Sequence, residues 1–335
     1  MSDPTRIIPV PVTILTGFLG AGKTTLLNRI LTEEHGQHIA VIENEFGEEG
    51  IDNDLLFQGE EQIVEMNNGC ICCTVRGDLV RILGELSEKR EQGKIDFERV
   101  IIETTGLADP APVAQTFFIE ETIHDYYLLD GIITVVDAKH GLQQLEEHHE
   151  AQEQIGFADR LLVSKTDLVN SDSVTKLQER LRLINARAPI SQAHFGVADI
   201  GEILDIRGFN LNTILEIEPD FLDDVSHEHD DNISSFVYRT DKPLDAARIM
   251  KFMQVMIRDY GNDLLRYKGI LNIQGCDKKV IYQGVHMLLT ETFGKAWKNG
   301  EIKESAMVFI GRNLPKEEML EALDSCKVLL RLQES

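Results

Sequence analysis

Val12-Thr13-Ile14-Leu15-Thr16-Gly17-Phe18-Leu19-Gly20-Ala21-Gly22-Lys23-Thr24 opens with an apolar, β-branched run, breaks at a glycine and ends on Gly-Lys-Thr. The run reads as a buried strand and Lys23 to Glu34 as the helix that follows it. Between them, Gly17-x-x-x-x-Gly22-Lys23-Thr24 has the spacing of a phosphate-binding loop in the context that pattern requires. Glycines let backbone N–H groups turn inward around phosphate oxygens, and the helix N-terminus adds partial positive charge. Gly17, Gly20, Ala21, Gly22, Lys23, Thr24 and Thr25 are therefore candidate nucleotide-binding residues. Lys23 is expected to reach the β- and γ-phosphates, and the Thr24 hydroxyl to ligate Mg²⁺. A glycine-rich turn without a ligand is the plainer alternative.

Outward from this loop the pattern repeats. Ile39-Ala40-Val41-Ile42, Val100-Ile101-Ile102, Ile132 to Val136 and Leu161-Leu162-Val163 are short and apolar, as strands buried on both faces are. Helical stretches alternate with them, among them Asp78 to Gln92 and Leu142 to Gln154. Strand and helix in alternation predict an α/β domain with a doubly wound, mostly parallel sheet. The strand Val100-Ile101-Ile102 runs into Glu103-Thr104-Thr105-Gly106, which puts Glu103 near Mg²⁺ and the Gly106 amide within reach of a γ-phosphate. Lys23 and Glu103 are thus the candidate catalytic residues, although an acid after an apolar strand is also a common structural feature.

Leu161-Leu162-Val163 leads into Ser164-Lys165-Thr166-Asp167. A carboxylate at Asp167 can accept from guanine N1–H and N2–H₂, a donor pair adenine lacks, and the Lys165 stem can lie across the base plane. This favours GTP over ATP. Ser164 stands where the guanine motif usually has Asn, and a polar turn without a base is the alternative.

Cys70, Cys72 and Cys73 are three of the five cysteines in the chain. In Cys-x-Cys-Cys spacing they can supply thiolates to Zn²⁺ or another soft or borderline ion, with a further ligand from elsewhere. Adjacent Cys72 and Cys73 would be strained as a disulfide. Small buried hydrophobes and a redox thiol site remain alternatives. The triplet lies between the second strand and the Glu103 strand, an interval that in nucleotide switches holds γ-phosphate-sensitive loops. Glu43 and Glu45 are candidate additional ligands; either could equally bond to water held by Mg²⁺, or be a solvated carboxylate.

Composition narrows the classes. The chain has 335 residues, 42% hydrophobic and 27% charged, which suits two globular domains. Its formal net charge of -24 repels nucleic acid and anionic lipid in the absence of a basic run. No stretch approaches the roughly 18 apolar residues of a membrane span, and no secretory h-region is evident. A cytoplasmic protein is expected. After Glu216 an acidic, aperiodic stretch reads as a linker. The expected divisions are a P-loop domain over 1–222, an acidic and His-containing linker over 223–232, and a smaller α+β domain over 233–335. In the last, Ser235 to Tyr238, Leu244 to Tyr260, Gly269 to Ile273, Lys279 to Gln283, Met307 to Ile310 and Pro315 to Cys326 read as β-α-β-β-β-α.

Together, Gly17 to Leu27, Glu43-Asn44-Glu45-Phe46-Gly47, Asn68-Gly69-Cys70-Ile71-Cys72-Cys73, Glu103 to Pro110 and Ser164 to Asp167 resemble the CobW-like GTPases, in particular their YjiA-like branch. Leu265-Arg266-Tyr267-Lys268-Gly269 and Gln283-Gly284-Val285 resemble the second domain of that family. The resemblance covers nearly the whole chain. It implies slow GTP hydrolysis coupled to delivery or insertion of zinc, cobalt or a similar ion into a client metalloprotein; a homo-oligomer is a separate expectation left open. Alternatives are a nucleotide-gated metal-sensing regulator without transfer, and a P-loop kinase-type enzyme with a structural metal. Many family members carry a long His-rich tract; here only His227-Glu228-His229-Asp230 remains, read as solvated linker. His148-His149 reads as the surface of a polar helix. No residue that orients the attacking water stands out, Glu45 and Asp52 being unsupported candidates.

Overall fold

The computed structural model of the chain describes residues 9–33, 36–43, 63–65, 73–193, 203, 204, 206, 233–298 and 300–328. Cys70, Cys72, Glu45, Asp52, His227, His229 and the expected linker over 223–232 lie outside the described residues, and for Cys73 only the backbone is described. The chain divides into two compact units, Met1–Arg182 with Arg187–Phe209, and Leu183–Ala186 with Asn210–Ser335.

In order, the first part comprises β1 (Val10–Thr16), α1 (Lys23–Thr32), β2 (Ile39–Glu43), β3 (Ile63–Glu65), α2 (Cys73–Glu91), β4 (Arg99–Glu103), α3 (Ala111–Ile119), α4 (Glu121–His124), β5 (Tyr127–Asp137), α5 (Gly141–Glu147), α6 (His149–Phe157), β6 (Arg160–Ser164), α7 (Ser171–Ile184) and β7 (Ile190–Gln192). The strands form one sheet in the order β3-β2-β4-β1-β5-β6-β7. Every pairing in it is parallel. Leu15, Leu26, Leu27, Ile30, Val41, Ile101, Val135 and Leu162 pack α1 against the middle of the sheet. Apolar area removed from water at about 25 cal/mol per Å² drives this packing.

Register lines up the strand ends that matter. Glu103 is the partner of both Leu15 and Glu43, Thr16 of Thr134, and Ser164 of Asp137. All of these lie at the carboxyl edge of the sheet, where open α/β folds place ligands. Deeper in the sheet, β5 carries an irregularity at which Val12 pairs with Leu129 and Thr13 with Gly131. Asp130, between them, receives the buried Arg99 guanidinium at 2.8 Å.

The second part comprises β8 (Ile233–Thr240), α8 (Ala246–Tyr260), β9 (Arg266–Leu271), β10 (Lys278–Val285), β11 (Leu288–Ala296), β12 (Ser305–Arg312) and α9 (Lys316–Ser325). Its strands form an antiparallel sheet in the order β11-β10-β9-β12-β8. Ile249, Phe252, Met253, Met256, Met319 and Leu323 of the two helices pack with Phe236, Tyr267, Tyr282 and Phe309 of the sheet. Asp245 caps α8 by accepting from the Arg248 amide at 2.9 Å.

Three readings need correction. The stretch Leu142 to Gln154 is not one helix: α5 stops at Glu147, His148 is extended at φ −130° and ψ 118°, and α6 starts afresh at His149. The break turns His148 onto the Phe18 ring, stacked at 4.6 Å between centroids, so the pair His148-His149 is not a plain exposed helix face. Tertiary contact here overrides helical periodicity. The second part holds one strand more than expected, β11. Its residues are intermediate or exposed, so it shows no apolar alternation, and pairing with β10 rather than burial defines it. Helix α2 also begins earlier than Asp78, at Cys73, so the third cysteine of the triplet opens a helix.

Candidate functional site

The loop between β1 and α1 has the backbone its glycines permit. Gly17, Gly20 and Gly22 have φ of 143°, 73° and 99°. At Gly17 a Cβ would lie 2.3 Å from the Val135 carbonyl oxygen, so only glycine fits. Gly22 is the N-cap of α1 and supplies no side chain, leaving the first-turn amides to face the loop. Such an arrangement is a ready-made anion site.

Lys23 is buried and donates from Nζ to the Gly17 carbonyl at 2.9 Å, which curls its ammonium back over the loop. Burial pushes its pKa down, and nearby Glu103 only partly opposes this. Thr24 Oγ1 donates to Glu103 Oε1 at 3.1 Å, joining the start of α1 to the end of β4. Thr25 is exposed beside it. Glu43 ends β2 directly alongside Glu103. A hydroxyl and a carboxylate oxygen at the phosphate loop form the hard-oxygen donor set that suits Mg²⁺.

Gly106 lies against the phosphate loop itself: a Cβ there would sit 2.7 Å from the Leu19 amide nitrogen. Buried Gln154 of α6 donates to the carbonyls of Gly106 at 3.2 Å and Ala108 at 3.1 Å. The helix pair α5–α6 therefore braces the phosphate loop, through His148 on Phe18, and the loop after β4, through Gln154.

On the other side, Ser164 Oγ lies 2.6 Å from the Ala21 carbonyl, a short donor in the place where the motif usually has Asn. A serine hydroxyl is thus sufficient to tie this loop to the phosphate loop. Lys165 has φ of 54° and donates from Nζ to Gly20 O at 2.6 Å and to Asp137 Oδ2 at 2.7 Å. Burial raises the Asp137 pKa, but bonds from Lys165, His140 and the Lys139 amide outweigh it and hold the carboxyl below its ordinary value. Asp167, on the 3₁₀ turn Thr166–Leu168, is exposed and has no hydrogen bond or ion pair among the described residues.

Gly17, Gly20, Ala21, Gly22, Lys23, Thr24, Thr25, Glu103, Gly106 and Lys165 are accordingly brought to one place, with Glu43 at its flank. Among the described residues no three His, Cys, Asp or Glu side chains converge on a metal position, and Cys70 and Cys72 lie outside them. Sequence reasoning missed Gln154 and Asp137. Asp137 had a signal, since Val135-Val136-Asp137 is an acid ending an apolar strand, the same pattern that singled out Glu103. Among the described residues no helix is long and apolar enough to cross a membrane.

Comparison with known proteins agrees with this geometry. Residues 11–192 match the family described as "CobW/HypB/UreG, nucleotide-binding domain", and residues 233–327 match "Cobalamin synthesis protein cobW C-terminal domain". The zinc chaperone YjiA of Escherichia coli is 44% identical over 94% of this chain and 98% of its own. The zinc-regulated GTPase metalloprotein activator 1 of Saccharomyces cerevisiae is 32% identical over 94% of this chain and 82% of its own. The crystal structure of the Zn(II)-bound YjiA GTPase from E. coli superposes with a TM-score of 0.78 at 38% identity, covering 96% of this chain and 100% of that one. With the phosphate loop, the carboxyl-edge carboxylates and the second antiparallel sheet all accounted for, the chain belongs to the CobW/HypB/UreG family.

Proposed function

We propose that this chain is a cytoplasmic GTPase that couples hydrolysis of GTP to the handling of zinc or a similar transition metal for a client metalloprotein. The observation that carries the nucleotide half is the convergence of three loops: Thr24 on Glu103, and Lys165 on Gly20. Phosphates lie in the Gly17–Thr25 loop, Lys23 turns from the Gly17 carbonyl to the β- and γ-phosphate oxygens, and the Gly106 amide meets the γ-phosphate. Asp167, an exposed side chain, accepts from the guanine edge while the Lys165 stem covers its face. Thr24 and Glu103 would hold Mg²⁺, which would supply neutralisation of phosphate charge. Lys23 and the loop amides stabilise charge on the transferred phosphoryl group. With no water-orienting group assigned, turnover without a partner is slow.

The metal half draws support from relatives named as a zinc chaperone and a zinc-regulated GTPase metalloprotein activator. Zinc is substrate here, bound by Cys70, Cys72 and Cys73 with Glu43 as a further oxygen donor. Glu43 is the register neighbour of Glu103, so a ligand set including it would touch the nucleotide site directly. Linkage then requires each ligand to alter the affinity of the other by the same factor. Zinc titrations with and without a non-hydrolysable GTP analogue, on the native chain and on a Cys70/Cys72/Cys73 triple alanine variant, test this. We expect a nucleotide-dependent zinc affinity that the triple variant loses; superimposable titrations of the native chain would sink the coupling. Competition of GTP against ATP for the site tests the base assignment, and equal displacement would overturn it.

A further inference from the structure

We propose that Asp137, last residue of β5, is a positioning residue for base recognition, holding Lys165 so that the base loop and the phosphate loop stay locked together. The inference rests on the guanine-nucleotide reading of the site. Its ground is the way the carboxylate is used. Oδ1 accepts the Lys139 amide at 2.7 Å and the His140 amide at 3.2 Å, which fixes the orientation of the carboxylate in its turn. Oδ2 is then aimed at Lys165 Nζ at 2.7 Å, with His140 Nδ1 at 3.1 Å beside it. The carboxylate side chain is 2% exposed and that of Lys165 35% exposed. A partly exposed lysine has many rotamers, and one buried, oriented anion selects among them.

The selected rotamer spans two loops, because the same ammonium donates to Gly20 O. Register adds to this: Asp137 is the strand partner of Ser164, the residue that donates to Ala21 O. Base loop and phosphate loop are therefore joined by two adjacent ties, and Asp137 secures the charged one. Lys165 also keeps a left-handed backbone at φ 54°, which a lysine adopts at a cost, so the anchoring offsets local strain. A role confined to capping the turn would need only Oδ1.

Asp137→Asn separates the two roles, since it keeps an oxygen acceptor for the turn amides and removes the charge facing Lys165. Binding of a fluorescent N-methylanthraniloyl-GDP with Mg²⁺, steady-state GTP hydrolysis and thermal melting would be measured on the full chain. Expected is a loss of GDP affinity of about tenfold and a matching rise in KM, with kcat changed by less than about threefold. Lys165→Met should show the same loss, and the double variant no more than Lys165→Met alone. His140→Ala, which removes the other Oδ2 partner, should bind GDP as the native chain does. If Asp137→Asn does not fold, Asp137→Glu takes its place and should give an intermediate loss that Lys165→Met masks. Native affinity in Asp137→Asn, multiplying losses in the double variant, or an equal loss in His140→Ala would each overturn the proposal. Failure of the native chain to bind guanine nucleotide would instead overturn the reading of the site.

Discussion

The Lys23 ammonium is held over the phosphate loop by one carbonyl and by the field of Glu103, largely out of water. Its depressed pKa has a consequence for nucleotide binding. Between that pKa and the ordinary lysine value of 10.5 the unfolded chain binds more protons than the folded one, so stability of the protein without nucleotide added rises with pH across that window. Anionic phosphates favour the charged lysine and reverse the shift, so binding at alkaline pH must take up protons. Calorimetry of GDP binding in buffers of different ionisation heat should show this uptake growing as pH climbs through the window, and Lys23→Met should abolish it. The same variant should lower turnover by ~10²–10³-fold, the effect of removing one preorganised charge-stabilising donor. Zero uptake throughout the alkaline range would remove Lys23 from the phosphate site. Lys23 and Glu103 were legible from spacing along the chain, because the motif that carries them is local. Asp137 and Gln154 act on groups brought close by strand register and helix packing, and no short-range pattern marks their partners.

At the scale of elements, the connection from β1 to α1 is the most constrained. Gly17 combines φ of 143° with a position whose Cβ would meet the Val135 carbonyl at 2.3 Å. Gly17→Ala must therefore move β1 from β5 or distort the loop. We expect a destabilisation of about 1–3 kcal/mol with a larger loss of nucleotide affinity, read by denaturant melts and GDP binding. A native-like melt would show that the loop adapts freely. The α5–α6 pair shows why element boundaries were only partly readable. No Gly or Pro between Leu142 and Gln154 marks a break, and stacking of His148 on Phe18 is realised only once the phosphate loop is in place. Strand β11 escaped for the opposite reason, being defined by its ladder with β10 and not by an apolar face.

For the molecule as a whole, the formal net charge of -24 sets a self-repelling field. Such a field opposes the compact state and is screened over about 10 Å at 0.1 M salt. The melting temperature should thus rise between low ionic strength and ~0.2 M NaCl, before specific ion effects dominate. A flat or falling curve would mean that exposed pairs such as Arg81–Glu85, which salt does screen, govern the response instead.

Spacing along the chain was enough to determine the phosphate loop, the parallel sheet behind it and the acid at the end of β4, since each is written in neighbouring residues. The tertiary structure alone decided that Ser164 ties the loop after β6 to Ala21, that Lys165 is shared between Gly20 and Asp137, and that Gln154 holds the loop of Gly106. The reason is physical: a motif records which atoms a short segment can present, while strand register and helix packing select which distant atoms meet them.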